Sequence, residues 1–304
     1  MFDKFKRSWA LVKECWHIFK ADKEMLLFPA LAFLINILIS ILFILPSLTI
    51  PDTEFNERFN SHIGQFLFFM WLLIVYFIIT LSNVAVVYCT TLRLKGQNPT
   101  LKDGLIAALK NVHKVALWSL IITLVSYILE KVRNRFPSIN KLIRYSRIAI
   151  SLATFFVVPV IVIEKKGVIP SIKRSAELFI KTWGETAIGK YGIGMFFAVV
   201  TALLAFIVVL FSLLLHNIFD LTIFSSDLPP IVGLILLESL LFGPMIIIVV
   251  VGIAGFAFGS LFSAMYATVL YNYAASKVLP LNFKKEMVVK AFSYTKDKRR
   301  VKRL

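Results

Sequence analysis

Apolar residues in this chain gather into long continuous runs, and a basic amphipathic stretch leads into several of them. Runs lie at about 25–45, 66–90, 115–130, 148–163 and 190–215, with one more inside 231–275. Helices of about 17–25 apolar residues cover a bilayer core of roughly 30 Å. The runs do not alternate polar with apolar, which argues against strands of a barrel. The pattern predicts an all-α membrane protein with six transmembrane helices. Residues 231–275 would reach about 68 Å as one straight helix, too far for a single crossing. Gly243-Pro244 predicts a break there, with a short outer-leaflet helix over 231–242 before it and the sixth span after it, to about Tyr271. Along that span Gly255, Gly259, Ser263 and Ala267 recur every four residues, a stripe that admits another helix closely.

The amphipathic stretches repeat. Lys95-Gly96-Gln97-Asn98-Pro99-Thr100-Leu101-Lys102 aligns without a gap on Lys166-Gly167-Val168-Ile169-Pro170-Ser171-Ile172-Lys173, 71 positions later. A fainter copy opens the chain, where Arg7-Ser8 and Trp16 match Arg174-Ser175 and Trp183. Apolar stripes at helical spacing follow: Phe5, Trp9, Val12, Trp16 and Phe19; Leu101, Leu105, Ala108, Leu109 and Val112; Ile172, Ala176, Phe179, Ile180 and Trp183. Thr100 and Ser171 stand where N-caps belong. Such helices lie flat in the interface, their cations near anionic headgroups. The architecture expected is three pseudo-repeated units, about 1–94, 95–165 and 166–275, each a basic interfacial helix plus a transmembrane hairpin. Residues 276–304 read as a basic cytoplasmic tail, with a further interfacial helix over 283–291.

Charge orients the chain. The net charge is +17, and segments 1–24, 91–114, 164–190 and 276–304 hold 6, 5, 6 and 10 basic residues. Segments 46–65 and 217–230 are net acidic. The Lys/Arg bias of short loops therefore puts both termini in the cytoplasm of a plasma-membrane protein. Segment 131–147 disagrees, with Lys131, Arg133, Arg135, Lys141, Arg144 and Arg147 and no acid. Either spans three and four form a re-entrant pair, or both cross and their basic ends reach outer headgroups. Crossing is favoured. Residues 1–24 do not read as a cleavable signal, so the first span is expected to remain as an anchor. Apolar residues make up 59% of the chain and mean hydropathy is +0.82, far from a soluble composition of roughly 45–50% apolar. Nucleic-acid binding is not expected, because the cations are spread over loops as orientation requires.

The opening Ser8-Trp9-Ala10-Leu11-Val12-Lys13, continuing to Asp22-Lys23-Glu24-Met25-Leu26-Leu27-Phe28-Pro29, resembles the start of a family of bacterial and archaeal integral-membrane proteins known as a domain of unknown function. The stretch from Leu261-Phe262-Ser263 to Tyr271-Asn272-Tyr273-Ala274 is similar to that family's end. The resemblance implies a six-helix membrane domain and brings no catalytic residue with it. More distantly, the organisation is similar to membrane domains attached to some glycerophosphodiesterases.

Candidate chemistry is sparse. His17, His62, His113 and His216 lie in separate segments without ligand spacing, and no cofactor or metal is expected. Gly189, Gly192 and Gly194 read as helix packing, and Cys15 and Cys89 as apolar thiols. Glu238 is the one acid inside an apolar run, either wet at the outer interface or paired with Arg144 or Arg147. Arg133, Arg135, Arg144 and Arg147 are candidate contacts for anionic lipid. The reading is a non-enzymatic membrane protein, lipid-associated or structural in the envelope, with a small transporter or lipid-translocating protein as the alternative.

Overall fold

A computed structural model describes the backbone of residues 2–45, 61–223 and 230–276, and the side chains of 8–45, 61–214 and 244–275. α1 (Phe2–Ala21) turns at Asp22 through a 3₁₀ turn (Lys23–Leu26) into α2 (Leu27–Ile44). α3 (His62–Leu94) returns to a loop that leads into α4 (Leu101–Lys110) and α5 (Val112–Arg135). A 3₁₀ corner (Pro137–Ile139) starts α6 (Asn140–Ala153), followed by α7 (Val157–Ile163), α8 (Val168–Ile223) and α9 (Pro230–Ser276). Six segments among the described residues are long and apolar enough to cross a membrane: Lys23–Ile44, His62–Leu94, Val112–Arg135, Pro137–Ile163, Val168–Leu214 and Pro244–Ala275.

Prolines set several helix starts. Pro29, Pro159 and Pro170 each occupy the third residue of a helix, where a missing N–H costs nothing because first-turn amides have no intrahelical acceptor. Thr100 caps α4 as expected: its hydroxyl oxygen accepts from the Asp103 amide at 3.2 Å, and Asp103 accepts from the Thr100 amide at 2.9 Å. Ser171 is not a cap. α8 has already begun at Val168, and the Ser171 hydroxyl donates back to the Gly167 carbonyl at 2.7 Å. The break at Gly243-Pro244 is also absent. α9 runs through Pro244 without interruption, as apolar surroundings permit when neighbouring groups serve the freed carbonyl. Residues 231–242 are therefore part of one long helix. Glu238 lies on it, with its side chain outside the described residues. The tail 277–304 also lies outside them.

Between α4 and α5 the backbone leaves helical geometry at Asn111 (φ −104°, ψ 9°). Inside α8 it does so at Thr182 (φ −122°, ψ 22°), 71 positions later. Both are joints between a basic amphipathic stretch and an apolar one.

α8 and α9 form the heart of the packing. The Gly189 Cα faces the ring of Tyr266, and Gly255 faces Thr201; a Cβ at Gly259 would lie 3.6 Å from Phe197. The small-residue stripe of α9 thus serves α8, a partner no periodicity could name. Tyr266, buried, donates to the Glu185 carbonyl at 2.9 Å. α1 docks on this pair through Phe19, whose ring lies 5.5 Å from Phe258 and 5.8 Å from Phe262. The face of α1 that packs is Ser8, Leu11, Cys15 and Ile18, leaving Trp9 and Trp16 exposed, so the stripe read from sequence divides, with Phe19 inside. α4 behaves likewise: Gly104, Ala107 and Ala108 pack inward, while Leu105 and Leu109 point out. Asn36 donates to the Ala32 carbonyl of its own helix at 2.8 Å, and to no neighbouring helix among the described residues. The near end of the bundle carries α1, α4 and the start of α8, and the far end carries the 137–139 corner.

Candidate functional site

Three polar assemblies stand out among the described residues, one at the far end, one inside the bundle and one at the near end. At the far end, 131–147 is a helical corner and no loop. Lys131, Arg133 and Arg135 finish α5, and Lys141, Arg144 and Arg147 lie on α6. Glu130, one residue outside the segment read as acid-free, accepts from both Arg133 and Arg147, the latter at 2.5 Å. Arg147 therefore pairs with Glu130 among the described residues. Lys131 donates to Gln65 at 2.9 Å and lies over the Tyr127 ring at 5.4 Å. Arg135 and Arg144 make no ion pair among the described residues. Glu130 joins α5 to α6 and halves the number of free guanidiniums at this corner.

The second assembly is a break inside the fourth apolar segment. α6 stops at Ala153 and α7 starts at Val157, with Thr154, Phe155 and Phe156 between them in a turn. Pro159 explains it: a continuous helix would press its ring on the carbonyl four residues back. The freed backbone groups are met from α8. The Ser175 hydroxyl donates to the Ala153 carbonyl at 2.6 Å and accepts from the Phe156 amide at 3.0 Å. Lys190 donates to the Ser151 carbonyl, and its ammonium lies 5.4 Å from the Phe155 ring centroid. A cation at the carbonyl end of a helix is favourably placed. α7 is about 10 Å long, so the break lies well inside the segment, away from its near end.

At the near end, two carboxylates tie the loops down. Arg93, at the end of α3, grips Asp22 with two nitrogens, Nη2 to Oδ1 at 2.5 Å, and donates to Asn98 Oδ1 at 2.5 Å. Glu164, after α7, accepts from Arg174 Nε at 3.1 Å, Lys166 Nζ at 2.5 Å and the Tyr271 hydroxyl at 2.8 Å. Three elements therefore meet on one carboxylate. Burial by itself raises the Glu164 carboxyl, but the donors Lys166, Tyr271 and Arg174 together outweigh it and hold the group below its ordinary range. Because the folded pKa lies below the unfolded one, the latch contributes fully above the ordinary carboxylate range and is lost as pH falls through the folded value. In thermal unfolding in detergent, Glu164→Gln should lower stability at about pH 7 and flatten the decline towards about pH 3. A variant that keeps the wild-type acid slope would contradict this assignment.

No group of three or more metal-ligating side chains occurs among the described residues. Cys15 and Cys89 are free and buried, and burial pushes the Cys15 thiol far above its ordinary range, leaving it protonated and unreactive. Sequence reasoning selects Arg133, Arg135, Arg144, Arg147 and Glu238; it misses Glu130, Ser175, Lys190 and Glu164. Only Glu130 leaves a local signal, three residues before Arg133. A chain with six segments among the described residues long and apolar enough to cross a bilayer is a multi-pass helical membrane protein. It belongs to a family of unknown function, DUF6159, which matches residues 62–278. The match contains the closing motif 261–274 and begins after the opening one. No curated protein and no solved structure matches the chain.

Proposed function

We propose that this protein is a non-enzymatic, lipid-associated component of the plasma membrane with a structural role in the envelope, its near end and both termini cytoplasmic. The observation that carries the reading is the outward face of the basic amphipathic stretches. Trp9, Trp16, Leu105, Leu109, Ile180 and Trp183 are all between 46% and 73% exposed. They lie beside Lys13, Lys20, Lys102, Lys110 and Lys181, and the Lys20 ammonium is 5.5 Å from the Trp16 ring. Large apolar side chains at the level of cations suit the boundary between acyl chains and anionic headgroups. The three-unit organisation belongs to the same proposal. Its support is the matched joints at Asn111 and Thr182, and the burial of Ser8, Gly104 and Ser175, which occupy corresponding positions.

Lipid retention measured by native mass spectrometry tests it. The wild type should keep anionic lipid in preference to zwitterionic lipid. At the far end, neutralising Arg135 and Arg144 should lower retention roughly tenfold, and Glu130→Gln, which frees Arg133 and Arg147, should raise it. Equal retention of both lipid types by the wild type would end the reading. Transport or lipid translocation is the second reading, motivated by the break at 154–156 with Lys190 on it, since discontinuous helices line many transport sites. Proteoliposomes no leakier than empty vesicles to anions and labelled lipids would dispose of it.

A further inference from the structure

A cavity of about 430 Å³ opens at the near end, where the α1–α2 corner meets the loop before α4. We infer that it is a binding site for one phospholipid with an anionic phosphoglycerol headgroup. This rests on the lipid-associated reading and names the lipid and the place. The cavity's buried lining is apolar, formed by Met25 and Cys89 with half-buried Phe28. The rim carries Lys20, Lys23, Glu24 and Thr100. Asp22 also lines the cavity, but its charge is taken by Arg93. Lys23 and Lys20, the latter 5.5 Å from the Trp16 ring, have no carboxylate partner among the described residues, so two ammoniums without a counter-ion stand against one carboxylate. That balance of one excess positive charge fits a phosphodiester, with Glu24 left to accept from glycerol hydroxyls, the Thr100 hydroxyl being held by Asp103. A zwitterionic headgroup would leave the excess uncompensated.

Two further features favour a membrane lipid over a soluble phosphate. Phe28 of the lining is followed on α2 by apolar side chains that face outward, Leu27 beside it and Leu31 one turn on, 46% and 54% exposed, which offer acyl chains a surface next to the cavity. The walls are also held in advance: the Asp22–Arg93–Asn98 clamp fixes the corner to the loop, so little ordering remains for the ligand to impose. The size lies within the range of small-molecule sites. Gly104 shapes the lining, since a Cβ there would come within 2.5 Å of the Phe28 ring and 2.8 Å of Cys89 Sγ. A side chain at 104 therefore has to displace Phe28 and Cys89, both of which line the cavity, without touching any charge.

The test titrates the purified full-length protein in neutral detergent with phosphatidylglycerol, phosphatidylethanolamine or free glycerol phosphate, read by native mass spectrometry. Wild type should prefer phosphatidylglycerol, and Lys20→Gln with Lys23→Gln should weaken that binding roughly tenfold. Gly104→Ala should weaken it too, with all charges in place, while Arg135→Gln should leave this site's occupancy unchanged. If the wild type shows no preference for the anionic lipid, the lipid-associated reading falls with the site. If it shows one that neither variant alters, the site alone is overturned. Glycerol phosphate binding as tightly as the lipid would also overturn it, in favour of a soluble ligand.

Discussion

Gly189→Leu is expected to be among the most damaging single substitutions in this protein, costing about 3 kcal/mol or more in detergent. The glycine on α8 lies directly against the ring of Tyr266 on α9. Tyr266 cannot retreat: it is fully buried and its hydroxyl is engaged by the Glu185 carbonyl at 2.9 Å. A leucine must therefore push the two longest helices apart or drive the tyrosine from the core. Gly192 provides the control, since nothing lies within 4 Å of a Cβ there. Gly192→Leu should change the unfolding temperature little. Equal damage at both positions would mean that added bulk anywhere on this stretch of α8, and not the Tyr266 contact, governs the loss, since leucine is the better helix former.

Ser175→Ala should have the next largest effect. Its hydroxyl serves two buried backbone groups at the break in the fourth segment, the Ala153 carbonyl at 2.6 Å and the Phe156 amide at 3.0 Å. Each group left without a partner costs about 1–3 kcal/mol, and hydrocarbon offers no substitute. The loss should be at least about 2 kcal/mol by thermal unfolding. Ser171→Ala is the comparison, because that hydroxyl only donates to Gly167 in its own first turn. If the two alanines behave alike, Ser175 is not what holds the α6–α7 turn.

The spans were legible because a continuous apolar run has one economical solution in a bilayer, the helix, and the six segments emerge near the places read from composition. Their ends were less legible. Prolines mark a helix start only when their place within the first turn is known. Pro99 stands before its helix, yet Pro170, 71 positions later in a near-identical motif, lies inside the next one. Pro159 carried the signal for the break at 154–156, but the apolar residues around it masked a turn as a continuous span. Pro244 shows the opposite outcome, a proline the helix absorbs. Long-range polar pairs left no trace at all. Nothing local joins Asp22 to Arg93, Glu164 to Tyr271, or Lys190 to the Ser151 carbonyl, because each depends on how helices meet. The amphipathic stripes read as one face and serve two: in α1 the packed line is Ser8, Leu11, Cys15 and Ile18, and the tryptophans face outward.

The proposed membrane placement requires the near and far ends to face opposite compartments, with the near end in the cytoplasm. Single cysteines at Gln97, in the exposed loop before α4, and at Ser138, in the exposed far-end corner, report on this directly. The two native cysteines are buried, which keeps background labelling low. With a membrane-impermeant thiol reagent on intact cells, Ser138→Cys should label at once and Gln97→Cys only after permeabilisation. Labelling of Gln97→Cys in intact cells, or protection of both, would contradict this placement.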